Sequence, residues 1–390
     1  MKSWLRKFAL ACGTTSLWAQ PAPPAKPAIA LIDAGDAPQW QTWAKAIGWE
    51  VVAPPTAAGA NIDMRVQALE AAVQAAIEQG SVDNARIYLA GRGDAVAAVF
   101  YTASRTPDLW AAAVALGGSP QPAIDSGRLY AGNFHNVPVL WISPGADDEK
   151  LAEKLKSAEI EIEWRQAEKV PIEAVFEWLK THTRDPYPPA IDCETDEPSF
   201  GRCYWIAMTK FDAAARNDVL PSSRLQPTVI AALDLGGFAF QADAPGPGVL
   251  VSSLPEKYNG PLKAGDRIVA LDGKQIADAR QYVGMMAQIK EEKPAVAMVQ
   301  RGKNRMRVET RILLPVRAAA VTARVQARYD SAASEIQIVS RTVNEMRVTI
   351  PGQWVGADLN WNGVPMGKVD MSGCRLLTIT KELENAGPCQ

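Results

Sequence analysis

At 390 residues, the chain exceeds one typical core, and about 100–200 residues per domain predicts two or three domains. Its 47% apolar and 22% charged residues exclude a fibrous chain and long disorder. A formal net charge of -2 gives no general pull toward nucleic acid or acidic lipid.

Lys2, Arg6 and Lys7 make a basic start, Phe8 to Trp18 is mostly apolar, and Ala19 places a small residue before Gln20. That order predicts a signal peptide over residues 1–19, with a short buried helix as the alternative. Cys12 follows Ala9-Leu10-Ala11, a poor lipobox, so no lipid anchor is expected there. No later stretch reaches the ~18 apolar residues of a spanning helix. The expectation is therefore a secreted or periplasmic protein without a transmembrane segment. Removal of Cys12 leaves Cys193, Cys203, Cys374 and Cys389, and an even number in an oxidising compartment predicts disulfides. Local pairing, Cys193–Cys203 and Cys374–Cys389, is preferred; free buried thiols are the alternative. Neither pair has CxxC spacing, which argues against zinc or thioredoxin-like chemistry. No metal and no cofactor are expected.

A Pro-rich linker, residues 20–27, leads into strand–helix alternation. Ala28 to Ile32, Glu50 to Ala53, Arg86 to Ala90, Ala112 to Leu116, Val137 to Ile142 and Glu159 to Trp164 are short apolar runs. Between them, Asn61 to Gln79, Asp94 to about Arg105, Glu149 to Ser157 and Ile172 to Thr181 carry helical patterns. Buried strands separated by helices predict a mostly parallel sheet covered on both faces, over residues 28–185.

The segment Ala90-Gly91-Arg92-Gly93-Asp94-Ala95, between an apolar strand and a helix, resembles the nucleophile elbow of the α/β-hydrolases. Asp108 to Ser119 resembles the following strand of a secreted esterase. Val137 to Ile142 with Gly145-Ala146-Asp147-Asp148 resembles the strand and loop that present the acid. The resemblance implies a nucleophile at Gly93 and an acid at Asp148. Glycine keeps the turn but removes the nucleophile. The base should lie late in this region, yet Arg165 to Pro171 has no histidine, and His135 and His182 stand elsewhere. Asp33 and Asp36 occupy the loop that should aim amides at an oxyanion, where carboxylates would repel developing negative charge. The expectation is a degenerate, pseudoenzyme form of the fold, with no catalytic residues. Asp94, Asp148 or Ser119 would have to carry any unfamiliar chemistry, and no base is visible for Ser119.

Pro186, Pro188 and Pro189 mark a boundary. Cys203 to Met208 reads as a strand, and so do Ala319 to Tyr329, Glu335 to Val339, Arg347 to Ile350 and Val355 to Asn360, with Asn362-Gly363 as a turn. Residues 190–221 and 316–390 are expected to form one small all-β domain. Trp354 and Trp361 could stack on a sugar, but paired tryptophans in such a unit read first as core.

Between these two parts, Gly260-Pro261-Leu262-Lys263-Ala264-Gly265-Asp266-Arg267-Ile268 through Asp272-Gly273 is a turn, an apolar strand and a hairpin turn. Asp278 is a suitable N-cap for a helix from Ala279 to Lys290. Arg305, Arg307, Glu309 and Arg311 alternate with Met306, Val308, Thr310 and Ile312. That period of two describes a strand with one wet face rather than a nucleic-acid patch. The first string resembles the L-x-x-G-D-x-I core of PDZ domains, and the inserted unit is placed at 222–315. The resemblance implies that a peptide C-terminus or extended segment adds as a strand beside the helix. Leu235-Gly236-Gly237-Phe238 stands where the family has G-L-G-F, with Leu235 replacing the first glycine. Phe238 and Phe240 would face the peptide from the strand, and Val283 and Met286 from the helix. The leading functional expectation is non-catalytic peptide or protein binding. Alternatives are an esterase- or peptidase-like hydrolase with displaced catalytic residues, and a structural envelope component.

Overall fold

The computed structural model describes residues 24–214, 217, 219–227, 230–314, 321–380 and 383–389. The expected signal peptide, Cys12, the first half of the Pro-rich linker and Pro315 lie outside the described residues.

The chain starts with β1 (Lys26–Leu31), α1 (Ala37–Ala46), β2 (Glu50–Val52), α2 (Ile62–Glu78), β3 (Val82–Arg92) and α3 (Ala95–Arg105). It continues with β4 (Ala112–Leu116), a short α4 (Gln121–Asp125), β5 (Val139–Ser143), α5 (Asp148–Ser157), β6 (Ile162–Gln166) and α6 (Ile172–Lys180). These strands form one parallel sheet in the order β2-β1-β3-β4-β5-β6. Alternate residues of each strand face opposite layers. Ala113 and Ala115 of β4 pack toward Val99 and Phe100 of α3, whereas Ala112 and Val114 pack toward Trp40 of α1 and Phe176 of α6. Coverage on both faces explains why β4 is uniformly apolar. Asn61 caps α2 by accepting a bond from the Met64 amide at 2.9 Å. α1 is not among the helices expected from the sequence. Pro38 stands in its first turn, its buried residues are Trp40 and Ala44, and Trp40 packs in one cluster with Ile29 and Leu31 of β1 and Phe176 of α6.

Next come β7 (Ala190–Thr195), β8 (Arg202–Cys203) and β9 (Ile206–Phe211). The expected strand Cys203 to Met208 is broken in two. Tyr204 takes a left-handed φ of 53°, and its hydroxyl donates to the Pro107 carbonyl at 3.1 Å. That contact with the parallel-sheet region, together with the Cys193–Cys203 disulfide, accounts for the turn.

The middle of the chain holds β10 (Ala232–Leu233), β11 (Ala239–Gln241), β12 (Val249–Ser253), β13 (Arg267–Leu271), β14 (Lys274–Gln275), α7 (Ala279–Ala287), β15 (Lys293–Arg301) and β16 (Asn304–Leu313). Their sheet runs β10-β16-β15-β13-β12-β11, with β14 on β13. Asp278 caps α7 through the Gln281 amide at 2.7 Å. The helix ends at Ala287, short of the expected Lys290.

The last elements are β17 (Ala323–Asp330), β18 (Glu335–Arg341), β19 (Val343–Ile350), β20 (Asp358–Trp361), β21 (Val364–Lys368), β22 (Gly373–Thr380) and β23 (Leu383–Pro388). The sequence reading includes neither β22 nor β23. Two five-stranded sheets result, β21-β20-β18-β17-β7 and β23-β22-β19-β9-β8. They share a core in which Ile191, Val325 and Ile338 meet Met208, Met346 and Val348. Trp354 and Trp361 are buried inside it at 3% and 0% exposure, so neither offers a stacking platform. Cys193 and Cys203 sit at disulfide distance with Cα atoms 6.0 Å apart, and Cys374 and Cys389 do so at 5.4 Å.

One carboxylate holds the root of the middle sheet. Glu194 of β7 is fully buried. It accepts bonds from the Ser222 hydroxyl at 2.6 Å and from the Ser223 amide and hydroxyl at 2.6 and 2.9 Å. Thr322, on the other side of that sheet in sequence, also donates to it, and Arg341 pairs with it at 2.8 Å. Its backbone amide and carbonyl bond both ends of the Asn133 side-chain amide.

Candidate functional site

β3 is the central strand whose end makes the elbow. Gly93 follows it in a left-handed conformation, φ 54°, with its amide on the Leu116 carbonyl at 2.8 Å. A Cβ built on Gly93 would meet nothing within 4 Å. The turn is therefore kept, and the position where a nucleophile would project is open. Asp36 accepts a bond from the Arg92 amide at 2.9 Å. Burial raises the Asp36 carboxyl above its ordinary range, although the Arg92 amide and charge oppose this. Asp33 folds onto the Gly35 amide. The loop after β1 thus turns a carboxylate, not a pair of amides, toward the elbow.

Asp148 opens α5 and bends back over Gly145, whose added Cβ would lie 2.6 Å from Oδ2. No histidine reaches it among the described residues. His135 precedes β5, at the edge where the parallel strands start. His182 follows α6: its carbonyl accepts from the Tyr88 hydroxyl at 2.9 Å, and Arg184 bonds the Ala85 carbonyl at 2.8 Å. The run from Ala85 to Gly93 along β3 corresponds to a separation of about 26 Å, at about 3.3 Å per residue. Ser119 accepts a bond from the Gln121 amide at 3.2 Å, and Asp94 makes no side-chain cap bond. Among the described residues, no hydrogen-bonded nucleophile–base pair of the kind a triad uses stands at this turn. A Gly93→Ser variant is expected to fold, with a left-handed non-glycine residue costing about 1 kcal/mol. It should hydrolyse p-nitrophenyl acetate no faster than the parent; clear turnover would reveal a base.

The second candidate lies along β11. This strand ends its sheet, pairing among the described residues with β12. Its other side faces α7, where the Phe240 and Tyr282 rings meet edge-on at 5.9 Å. Phe238 stands 6.4 Å from Phe240. Phe238, Phe240 and Val283 are half-buried, whereas Met286 is fully buried in the core of this sheet. Ahead of β11, the Leu235 side chain is buried, and its amide bonds the Leu233 carbonyl at 2.8 Å. The left-handed residues of the loop are Gly236 and Gly237, with φ 77° and 79°. Leu235 is not left-handed, so replacing a glycine there imposes no backbone strain. The amides of Gly236, Gly237 and Phe238 have no hydrogen-bond partner among the described residues.

A third concavity, about 300 Å³, lies between the parallel-sheet region and β7 and β17, lined in part by His135, Glu159, Asp192 and Arg324. Arg324 is already committed to Asp192 through two bonds, at 2.8 and 2.5 Å. Glu194, Asp192 and Arg324 leave no local signal in the sequence, because their partners lie far apart in the chain.

No family model matches the chain, and no curated protein matches it. Among solved structures it is similar to one described as esterase PE8, at 16% identity, covering 40% of this chain and 93% of that one, with a TM-score of 0.30. It is also similar to a thermostable esterase at 15% identity, covering 41% of this chain and 56% of that one, with a TM-score of 0.29.

Proposed function

We propose that the chain is an exported, non-catalytic peptide-binding protein. Residues 222–315 form an inserted PDZ unit that binds a peptide C-terminus or an extended segment between β11 and α7. Residues 28–185 act as a scaffold derived from an α/β-hydrolase, and residues 190–221 with 316–390 form the β domain that carries the insertion. The observation that carries this reading is the loop before β11. Three consecutive backbone amides without partners among the described residues stand at the head of a strand that ends its sheet. Such amides can hold a carboxylate through charge-assisted bonds, and the edge can take an added strand. Two cysteine pairs at disulfide distance support a location outside the cytoplasm.

The test is to pan a library of peptides with free C-termini against the intact protein and against Val283→Glu. Val283 is only half-buried, so its replacement should spare the fold while placing a charge on the helix wall. Enrichment on the parent but not on the variant is expected. Equal enrichment on both would place binding elsewhere, and none on either would sink the peptide reading.

A further inference from the structure

The loop before β11 is braced from outside by one side chain. The Tyr258 hydroxyl donates to the Leu235 carbonyl at 2.7 Å and accepts from the Leu262 amide at 3.1 Å. Its ring lies against Gly236, where an added Cβ would come within 2.9 Å. Its oxygen lies against Gly260, where the corresponding distance is 2.2 Å. The two glycines thus leave a slot that the phenol fills. Beyond it the segment is fixed again. Asp266 is almost fully buried; it accepts the Lys263 amide at 2.7 Å and pairs with Arg301 of β15 at 2.7 Å. Arg301 also donates to the Pro261 carbonyl at 2.9 Å.

A trans peptide plane points its C=O and the following N–H in opposite directions. Holding the Leu235 carbonyl therefore also fixes where the Gly236 amide points, which is away from Tyr258. Without this bond, two adjacent glycines would leave that plane free to turn, because glycine accepts both signs of φ.

We propose that Tyr258 is a positioning residue for the groove: through the Leu235 carbonyl it aims the Gly236 amide so that the loop accepts a carboxylate. The proposal rests on the groove reading above. It makes preference for a free C-terminus over an internal segment depend on a hydroxyl outside the groove.

The test uses the full chain labelled with 15N-glycine, titrated with acetate and, in parallel, with acetamide. In the parent, acetate should move the Gly236 and Gly237 amide resonances, and acetamide should not. In Tyr258→Phe, the apparent acetate affinity should fall about tenfold, as for one misaligned charge-assisted bond. The acid-over-amide preference should shrink with it, while the unfolding midpoint stays close to the parent's. A purely structural role would not change that preference. Equal acetate responses in parent and variant would overturn the role of Tyr258 and leave the loop as an anion site. No acetate response in the parent also overturns the proposal. The groove reading is then judged separately by the peptide panning, which strand addition alone could satisfy.

Discussion

Glu194→Ala is expected to destabilise the protein by about 3–5 kcal/mol, the range for breaking a buried ion pair by removing one partner. The Glu194 carboxylate is completely enclosed, and Arg341, with only 15% of its side chain exposed, would lose it. Three hydroxyl groups and the Ser223 amide would lose their acceptor as well. The loss has a definite location. Ser222 and Ser223 precede the β10–β16 sheet and Thr322 follows it, so one carboxylate fastens both connectors of that sheet to β7. Denaturant unfolding should show the lost stability, and hydrogen exchange should quicken in residues 220–225 and 321–323. Glu194→Gln keeps the shape and separates the contribution of charge from that of size. A loss below about 1 kcal/mol, typical of exposed pairs, would show that the clamp contributes little.

Asp196→Asn is expected to have the next largest effect, and one that depends on pH. Asp196 pairs with Arg105 at 2.5 Å and with Arg128 at 2.6 Å. The Arg105 side chain has no exposed surface; it lies 4.2 Å from the Phe200 ring centre and 5.7 Å from that of Tyr101, and its other carboxylate among the described residues is Asp63, 3.9 Å away. This network ties α3 to the segment after β7. Burial by itself pushes the Asp196 carboxyl up, but the hydrogen bonds from Arg128 and the charge of Arg105 outweigh it, and the net direction is down. A carboxyl whose folded pKa is depressed stabilises the fold above its unfolded value, about 3.9. That contribution disappears as pH falls through the folded value. The stability gap between parent and Asp196→Asn should therefore be fully open near neutral pH and close progressively below about pH 5. Asp108 and Glu70 are raised by burial and slope the other way, but they are present in both proteins and cancel in the difference. Denaturant unfolding from pH 3 to pH 7 would measure this; a gap constant with pH would mean that the charge of Asp196 does not contribute.

Much of the fold was legible wherever the signal is local. β4 is an apolar run covered on both faces, and its bounds follow from composition alone. Asn61 and Asp278 announce their helices because a capping side chain acts within three residues. Asn362 and Gly363 mark a turn through their left-handed φ of 51° and 85°. The missed elements share a different cause. α1 buries only Trp40 and Ala44, and part of what covers Trp40, Phe176 of α6, comes more than a hundred residues later. Tyr204 breaks a strand because its hydroxyl reaches Pro107, in the parallel-sheet region. The candidate sites divide along the same line. The left-handed turn at Gly93 could be read from one letter, and that before β11 from two glycines.

Readable from the sequence by itself were a parallel α/β region, local pairing of Cys193 with Cys203 and of Cys374 with Cys389, and a glycine-containing loop ahead of an apolar strand. These depend on residue type and short spacing. Only the tertiary structure decided that Leu235 imposes no strain, that Tyr258 braces the loop, and that Glu194 joins both connectors. Each of these depends on where distant groups point after folding. The orientation of a carbonyl, or the enclosure of a carboxylate by partners 28 to 147 residues away, leaves no periodic trace in the chain.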